Sequence, residues 1–344
     1  MKKYLPIILF IILLGFGGYF IAQKNGKVID ISISKANNNL PVASPTPELP
    51  KSSISGLACV NAERRPIAVM LAGDSAARPL SGLSEADLVF NMPVITDSMT
   101  RFMAVYVCNS PKEIGSVRSS RDDYIPLARG LDAIFAHWGG SHFALDALAK
   151  GVINNIDALA NPYNAYFRKS GIVSPHNGFT SGARLYNAAD KMSYRLSGNF
   201  SGYLHLPDST TTTATTTKTL SINFPGEFAV KYVYDPQANS YWRWRGGTKE
   251  VDKNTGRQVA AKNVVIMTAR SRQVEGQYND VDVEGSGQAR IYRNGEEIIG
   301  TWKKSAANQT SKLFFYDSVG AEIKFMPGQI WVEIAQPNQT ITYK

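Results

Sequence analysis

Between Gly115 and His142 the chain reads GSVRSSRDDYIPLARGLDAIFAHWGGSH, which gathers more polar chemistry than packing requires. Guanidinium groups offer planar forks of donors suited to carboxylate or phosphate. Arg118 and Arg121, with the hydroxyls of Ser119 and Ser120 beside them and free amides at the start of a helix, outline an anion cradle. Arg101, entering an apolar run, and Arg168 are candidates to converge on it. His137 closes the run AIFA ahead of Trp138-Gly139-Gly140-Ser141. A histidine there is suited to hydrogen-bond donation or general-base work, and equally to being a satisfied core residue. His176 and Asn177, in SPHNGFTS, add donors in a turn-rich loop where capping is the competing role. The candidate ligand-binding set is thus Arg101, Arg118, Ser119, Arg121, His137, Ser141, Arg168, His176 and Asn177. The competing account is that the arginines pair with Asp87, Asp97, Asp122 or Asp123 and hold loops.

Other chemistries find less support. Ser119 or Ser141 with a histidine and Asp122 or Asp123 supplies the residue types of a hydrolase, but no Gly-x-Ser-x-Gly elbow is present, so catalysis is not the expectation. His137 and His142 stand five apart across a Gly-Gly break, and there is no His-Glu-x-x-His; neither a metal nor another cofactor is expected. Gly139-Gly140-Ser141 lacks the lysine and spacing of a nucleotide cradle.

Positioning these residues falls to short apolar runs rich in branched and aromatic side chains: PIAVML (66–71), DLVFNM (87–92), RFMAVYVC (101–108) and LDAIFAHW (131–138). They read as strands buried on both faces. Tyr124 to Arg129 reads as a helix with Pro126 in its first turn and Gly130 as its stop, and Ser141 is placed to cap FALDALAK. Strands interleaved with helices make an α/β or α+β domain. Cys59 lies just before the first strand and Cys108 ends the third, so a disulfide between them is the candidate pairing, with two unlinked thiols the alternative.

Toward the C-terminus the pattern changes. After DSTTTTATTTKT, a linker or exposed loop, come AVKYVYD, YWRWRGG, NVVIMTAR, QARIYRNGEEI, TWKKS, KLFFYDSVGAEIKFM and QIWVEIA, separated by turn signals. Asn294-Gly295 between alternating runs marks a hairpin. In Tyr241 to Arg245 aromatic and cationic residues alternate; stacking of sugar rings is one use. The preferred reading is one core face with Arg243 and Arg245 on the solvated side.

At the N-terminus, Lys2-Lys3 precede Leu5 to Ala22, eighteen residues without a charge. This reads as an uncleaved membrane span with the N-terminus in the cytoplasm, a cleavable signal being the alternative. A proline-dotted tether (23–55) follows, then a layered β/α domain (56–207), the Thr-rich linker (208–219) and a mainly β domain (220–344); the overall class is α+β. The formal charge of +9 does not mark a nucleic-acid binder. Residues 57 to 207 carry 14 basic against 12 acidic side chains and residues 220 to 344 carry 16 against 13, so no basic face emerges.

RPIAVML, ARPLSGLSEADLVFNMPV, TRFMAVY, IGSVRSSR, DAIFAHWGGS and SPHNGFTS, followed by NVVIM, GSGQARIYRNGEEIIGTWKK and PGQIWVEI, resemble in order the YerB-like family of bacterial extracytoplasmic proteins, with two consecutive domains of unknown function. The resemblance implies a layered β/α domain, a mainly β domain and attachment to the outer face of the cytoplasmic membrane. It implies no reaction. Many members are lipoproteins, whereas no lipobox follows the apolar run here. The expected function is binding of an anionic cell-envelope component or envelope partner protein, with an envelope hydrolase and a structural scaffold as alternatives.

Overall fold

The computed structural model describes residues 48–344 except 209, 210, 213 and 277. The expected membrane span and most of the tether lie outside the described residues. Among those described, no helix is long and apolar enough to cross a membrane.

From the first half come β1 (Ile67–Leu71), β2 (Leu88–Pro93), β3 (Thr100–Tyr106), β4 (Ile134–His137) and β5 (Asn155–Asp157), with helices α1 (Tyr124–Gly130), α2 (His142–Ala149) and α3 (Gly182–Lys191). β1 to β4 coincide with the four apolar runs, and every residue in them is buried, as strands covered on both faces should be. Ser141 caps α2, its Oγ accepting from the Ala144 amide.

From the second half come β6 (Lys218–Ile222), β7 (Val230–Asp235), β8 (Ser240–Arg245), β9 (Asn263–Thr268), β10 (Ser271–Glu275), β11 (Tyr278–Val281), β12 (Gly285–Arg293), β13 (Glu296–Lys304), β14 (Phe314–Asp317), β15 (Ile330–Ala335) and β16 (Ile341–Tyr343). β12 and β13 pair up to Arg293 and Glu296, so Asn294 and Gly295 alone form the turn, both with positive φ as such a hairpin demands.

Ten strands form one sheet in the order β14-β13-β12-β9-β15-β2-β3-β1-β4-β5, five from each half. The seam is the parallel pairing of β2 with β15, from Leu88 opposite Ile330 to Asn91 opposite Glu333. A second sheet, built on β8-β7-β6-β16, packs with α3 on one face of the large sheet; α1 and α2 cover the other. The two sequence-defined segments therefore share a core through this seam. Ser52, Ile54 and Ser55, assigned by composition to the tether, are buried on this body, and Ser55 Oγ donates to Asp87. The Thr-rich stretch is likewise fastened: Thr212 Oγ1 donates to the Asn294 carbonyl. Cys59 and Cys108 form the expected disulfide, with Cα atoms 5.6 Å apart.

Candidate functional site: an arginine cluster at the sheet edge

β4 runs beside β1 only as far as Val69, which pairs with Ala136. Beyond that point residues 116–121 insert between the two strands. The Ala72 amide donates to the Ser116 carbonyl, Arg118 N to the Met70 carbonyl, and Trp138 N to the Arg118 carbonyl. Further on, Ser120 N donates to Gly139 O and Ser141 N to Ser120 O. The wedge thus sits outside the carboxyl ends of β1 and β4, where diverging strands of α/β sheets make their ligand crevices. Gly73 closes the neighbouring corner, since a Cβ there would stand 1.9 Å from the Thr100 carbonyl oxygen.

Onto this wedge the fold brings Arg101, Arg118 and Arg121. Arg101 is the second residue of β3, which runs antiparallel to β1, so it arrives at the same sheet edge. Its Nη1 donates to the Ser119 carbonyl at 2.9 Å, and Arg121 Nη1 donates to the Ser120 carbonyl at 3.0 Å. Arg118 Nη2 lies 4.0 Å from Asp74 Oδ2, and Arg121 lies over the Tyr278 ring, 5.4 Å from its centroid. Buried and without hydrogen-bond partners among the described residues are Arg101 Nε, Arg118 Nη1, Arg121 Nε and Asp74 Oδ2. Burial, reinforced by the like charges of Arg121 and Arg118, holds the Arg101 guanidinium down to about 9. Burial also lowers Arg121. Neither Arg101 nor Arg121 forms an ion pair among the described residues. The pairing with Asp87, Asp97, Asp122 or Asp123 that the sequence allowed is therefore not how this cluster is held.

The remaining candidates divide. Ser119 contributes its carbonyl, while the Ser141 hydroxyl is committed to capping α2 and to Asp122, 3.4 Å away. His137 is a correction: it is fully buried, Nδ1 donates to the Gly139 carbonyl at 2.8 Å, and Nε2 lies 3.2 Å from Asn155 Oδ1. Both ring nitrogens face these core partners. Arg168 stacks on Trp138, 4.4 Å from the ring centroid, and donates to Asn177 Oδ1. Arg168 and Asn177 thus form a patch on Trp138, and His176 is half-buried beside Asn177 in the chain.

This chain matches the family described as "Protein of unknown function (DUF3048) N-terminal domain" over residues 54–195, and its C-terminal domain counterpart over residues 220–332. The chain belongs to the DUF3048 family. It is 30% identical over 276 residues to "Putative lipoprotein YerB" of Bacillus subtilis (strain 168), covering 79% of this chain and 81% of that one. The crystal structure of YerB protein from Bacillus subtilis superposes with a TM-score of 0.76 at 28% identity, over 85% of this chain and 99% of that one. All nine candidate residues lie within the N-terminal DUF3048 match.

A second arginine cluster was missed, because the face of β8 is the reverse of the one expected. Arg243 and Arg245 are buried to 0% and 1% exposure, whereas Trp242 and Trp244 are half-buried on the outer side. Arg243 Nη1 donates to Glu250 at 2.6 Å and Nη2 to Glu333 at 3.1 Å; Arg245 Nη2 donates to Glu250 at 2.9 Å. Tyr232 donates its hydroxyl to Glu333 at 2.6 Å. Burial opposes the charge on Arg243, but Tyr232, Glu333 and Glu250 outweigh it and push its pKa up; Arg245 is held down to about 10 by burial despite Glu250. Asp74 was missed too. Its signal was a carboxylate three residues past a buried strand.

Proposed function

We propose that this chain is an extracytoplasmic, membrane-anchored protein that binds an anionic cell-envelope component or an acidic envelope partner through Arg101, Arg118 and Arg121. The observation that carries the reading is Arg101, a guanidinium 3% exposed, without an ion pair among the described residues and in the field of two further arginines. Leaving a charge buried and unpaired is costly. An oxyanion at the wedge supplies both the missing countercharge and acceptors for the unpartnered nitrogens. The location is supported by the lipoprotein designation of the relative, the apolar segment after Lys2-Lys3, and a disulfide of the kind that persists in oxidising compartments.

In the hydrolase alternative, His137 and Ser141 are occupied by core and cap partners, which leaves His176 and Ser119 as its base and nucleophile; the first distinction to draw is binding against scaffolding. Thermal unfolding of the full chain, wild type beside Arg118→Ala, against peptidoglycan fragments, glycerol-phosphate polymers and anionic lipid vesicles separates these. Stabilisation by one of them, lost in a variant that still folds, is the expected result. No shift with any ligand, together with strong destabilisation by Arg118→Ala, refutes binding at this cluster and returns the arginines to a structural role.

A further inference from the structure

On the side of the large sheet that carries Phe102, a cavity of about 320 Å³ opens between Arg78 and the strand end formed by Arg245 to Val251. That is near the lower end of the roughly 300–1,000 Å³ of small-molecule sites. Arg245 and Glu250 are its buried residues, while Thr248 and Lys249 are exposed at its mouth.

The hydrogen bonding here is one-sided. Arg245 lies over the Phe102 ring, 4.4 Å from its centroid, with one edge turned to Glu250, and its Nη1 has no hydrogen-bond partner among the described residues. Arg78 donates Nη2 to the Gly73 and Glu227 carbonyls, and its buried Nε has no hydrogen-bond partner among the described residues. Both Glu250 oxygens are already taken, one by Arg245 and the other by Arg243. Donors are left over and acceptors are not. The buried cations Arg243 and Arg245 are matched by Glu250 and Glu333; Arg78 adds a third cation, whose further countercharge is Asp74, already shared with Arg118. Glu227 also acts on Arg78, but it is exposed and its carboxylate accepts from the Ser75 amide.

We propose that this cavity binds a small molecule through a carboxylate group, held between Arg245 Nη1 and Arg78 Nε with Lys249 at the entrance. A carboxylate is a monoanion that adds countercharge for Arg78, and its two oxygens can accept from Arg245 Nη1 and Arg78 Nε. A phosphate dianion brings a second negative charge and turns a further oxygen toward Glu250. The residues that would hold the ligand are distinct from Arg101, Arg118 and Arg121, with Asp74 acting on both Arg78 and Arg118.

Isothermal titration and thermal unfolding of the full chain with N-acetylalanine, its uncharged methyl ester and inorganic phosphate, at constant ionic strength, test this. The acid should bind saturably and raise the melting temperature, the ester should do neither, and phosphate should bind more weakly than the acid. Arg78→Ala should weaken binding of the acid at least tenfold, as should Lys249→Glu, which alters only the exposed mouth; Arg118→Ala should leave it unchanged. If Arg78→Ala does not fold, Lys249→Glu decides alone. The proposal is overturned by absence of saturable binding, by ester or phosphate binding as tightly as the acid, by unchanged affinity in Lys249→Glu, or by loss of binding in Arg118→Ala.

Discussion

Asn91 on β2 donates its side-chain amide to Glu333 on β15 at 2.7 Å, across 242 residues of sequence, and neither residue is exposed. This bond sits at the seam where the two halves share their sheet, and Glu333 also accepts from Tyr232 and Arg243. Removing the carboxylate strands the Arg243 charge in the core. Glu333→Ala should therefore destabilise the fold by about 3–5 kcal/mol, the usual range for breaking a buried ion pair. Urea unfolding followed separately by tryptophan fluorescence and far-ultraviolet circular dichroism checks this. Both probes should report one transition moved to lower urea, because the shared sheet couples the halves; two separated transitions would show that the halves unfold independently.

The disulfide makes a second stability prediction. Cys59 and Cys108 close a loop spanning 49 positions, which by loop-closure entropy is worth about 4 kcal/mol. The double replacement Cys59→Ala and Cys108→Ala should lower the urea midpoint accordingly, and wild-type protein under reductant should match the double variant. The arginine wedge lies at the opposite end of β3 from Cys108, so a ligand response at Arg118 should survive in the double variant at a temperature where it remains folded.

Much of the first half was legible because its strands are uniformly apolar, so no choice of face arose, and because caps and turns are local chemistry. Ser141 at the start of α2 and Asn294-Gly295 between β12 and β13 needed only their immediate neighbours. β8 shows where that reasoning stops. A period of two separates Trp242 and Trp244 from Arg243 and Arg245, but it does not say which set faces inward. Hydrophobicity favours burying the tryptophans. The outcome is decided by Glu250, and by Glu333, 90 residues from Arg243, whose carboxylates make the arginine face the one that can be buried. Outside, Trp242 Nε1 donates to Asp235 and Lys231 lies over Trp244. The convergence of Arg101 with Arg118 and Arg121 could be anticipated from strand ends. The commitment of His137 to the Gly139 carbonyl and Asn155 could not, since the strand carrying Asn155 was not anticipated.

Arg101 links stability to binding. With no ion pair of its own among the described residues and with Arg118 and Arg121 nearby, its charge works against the fold. Arg101→Met keeps a long side chain and removes the charge, and should raise stability in ligand-free buffer by about 1 kcal/mol. The same variant should lose the thermal shift given by any anion that stabilises the wild type. A variant that is less stable and still responds to anions would show that the bond to the Ser119 carbonyl, not the charge, is what Arg101 supplies.

Asp123 gives the pH dependence. Burial, with Asp122 and Asp280 adding like charge, raises its carboxyl to about 8 from an ordinary value of 3.8. The folded state therefore prefers the protonated acid. The corresponding stability is fully present below about pH 4, declines as pH rises between the two values, and is gone above about 8. Asp123→Asn keeps the neutral form at every pH. Its melting temperature should exceed that of the wild type at pH 9, approach it at pH 4, and vary less between them. Parallel melting curves for the two proteins from pH 4 to 9 would mean that Asp123 is ionised in the fold, and that the β10–β11 hairpin carrying Asp280 does not crowd it.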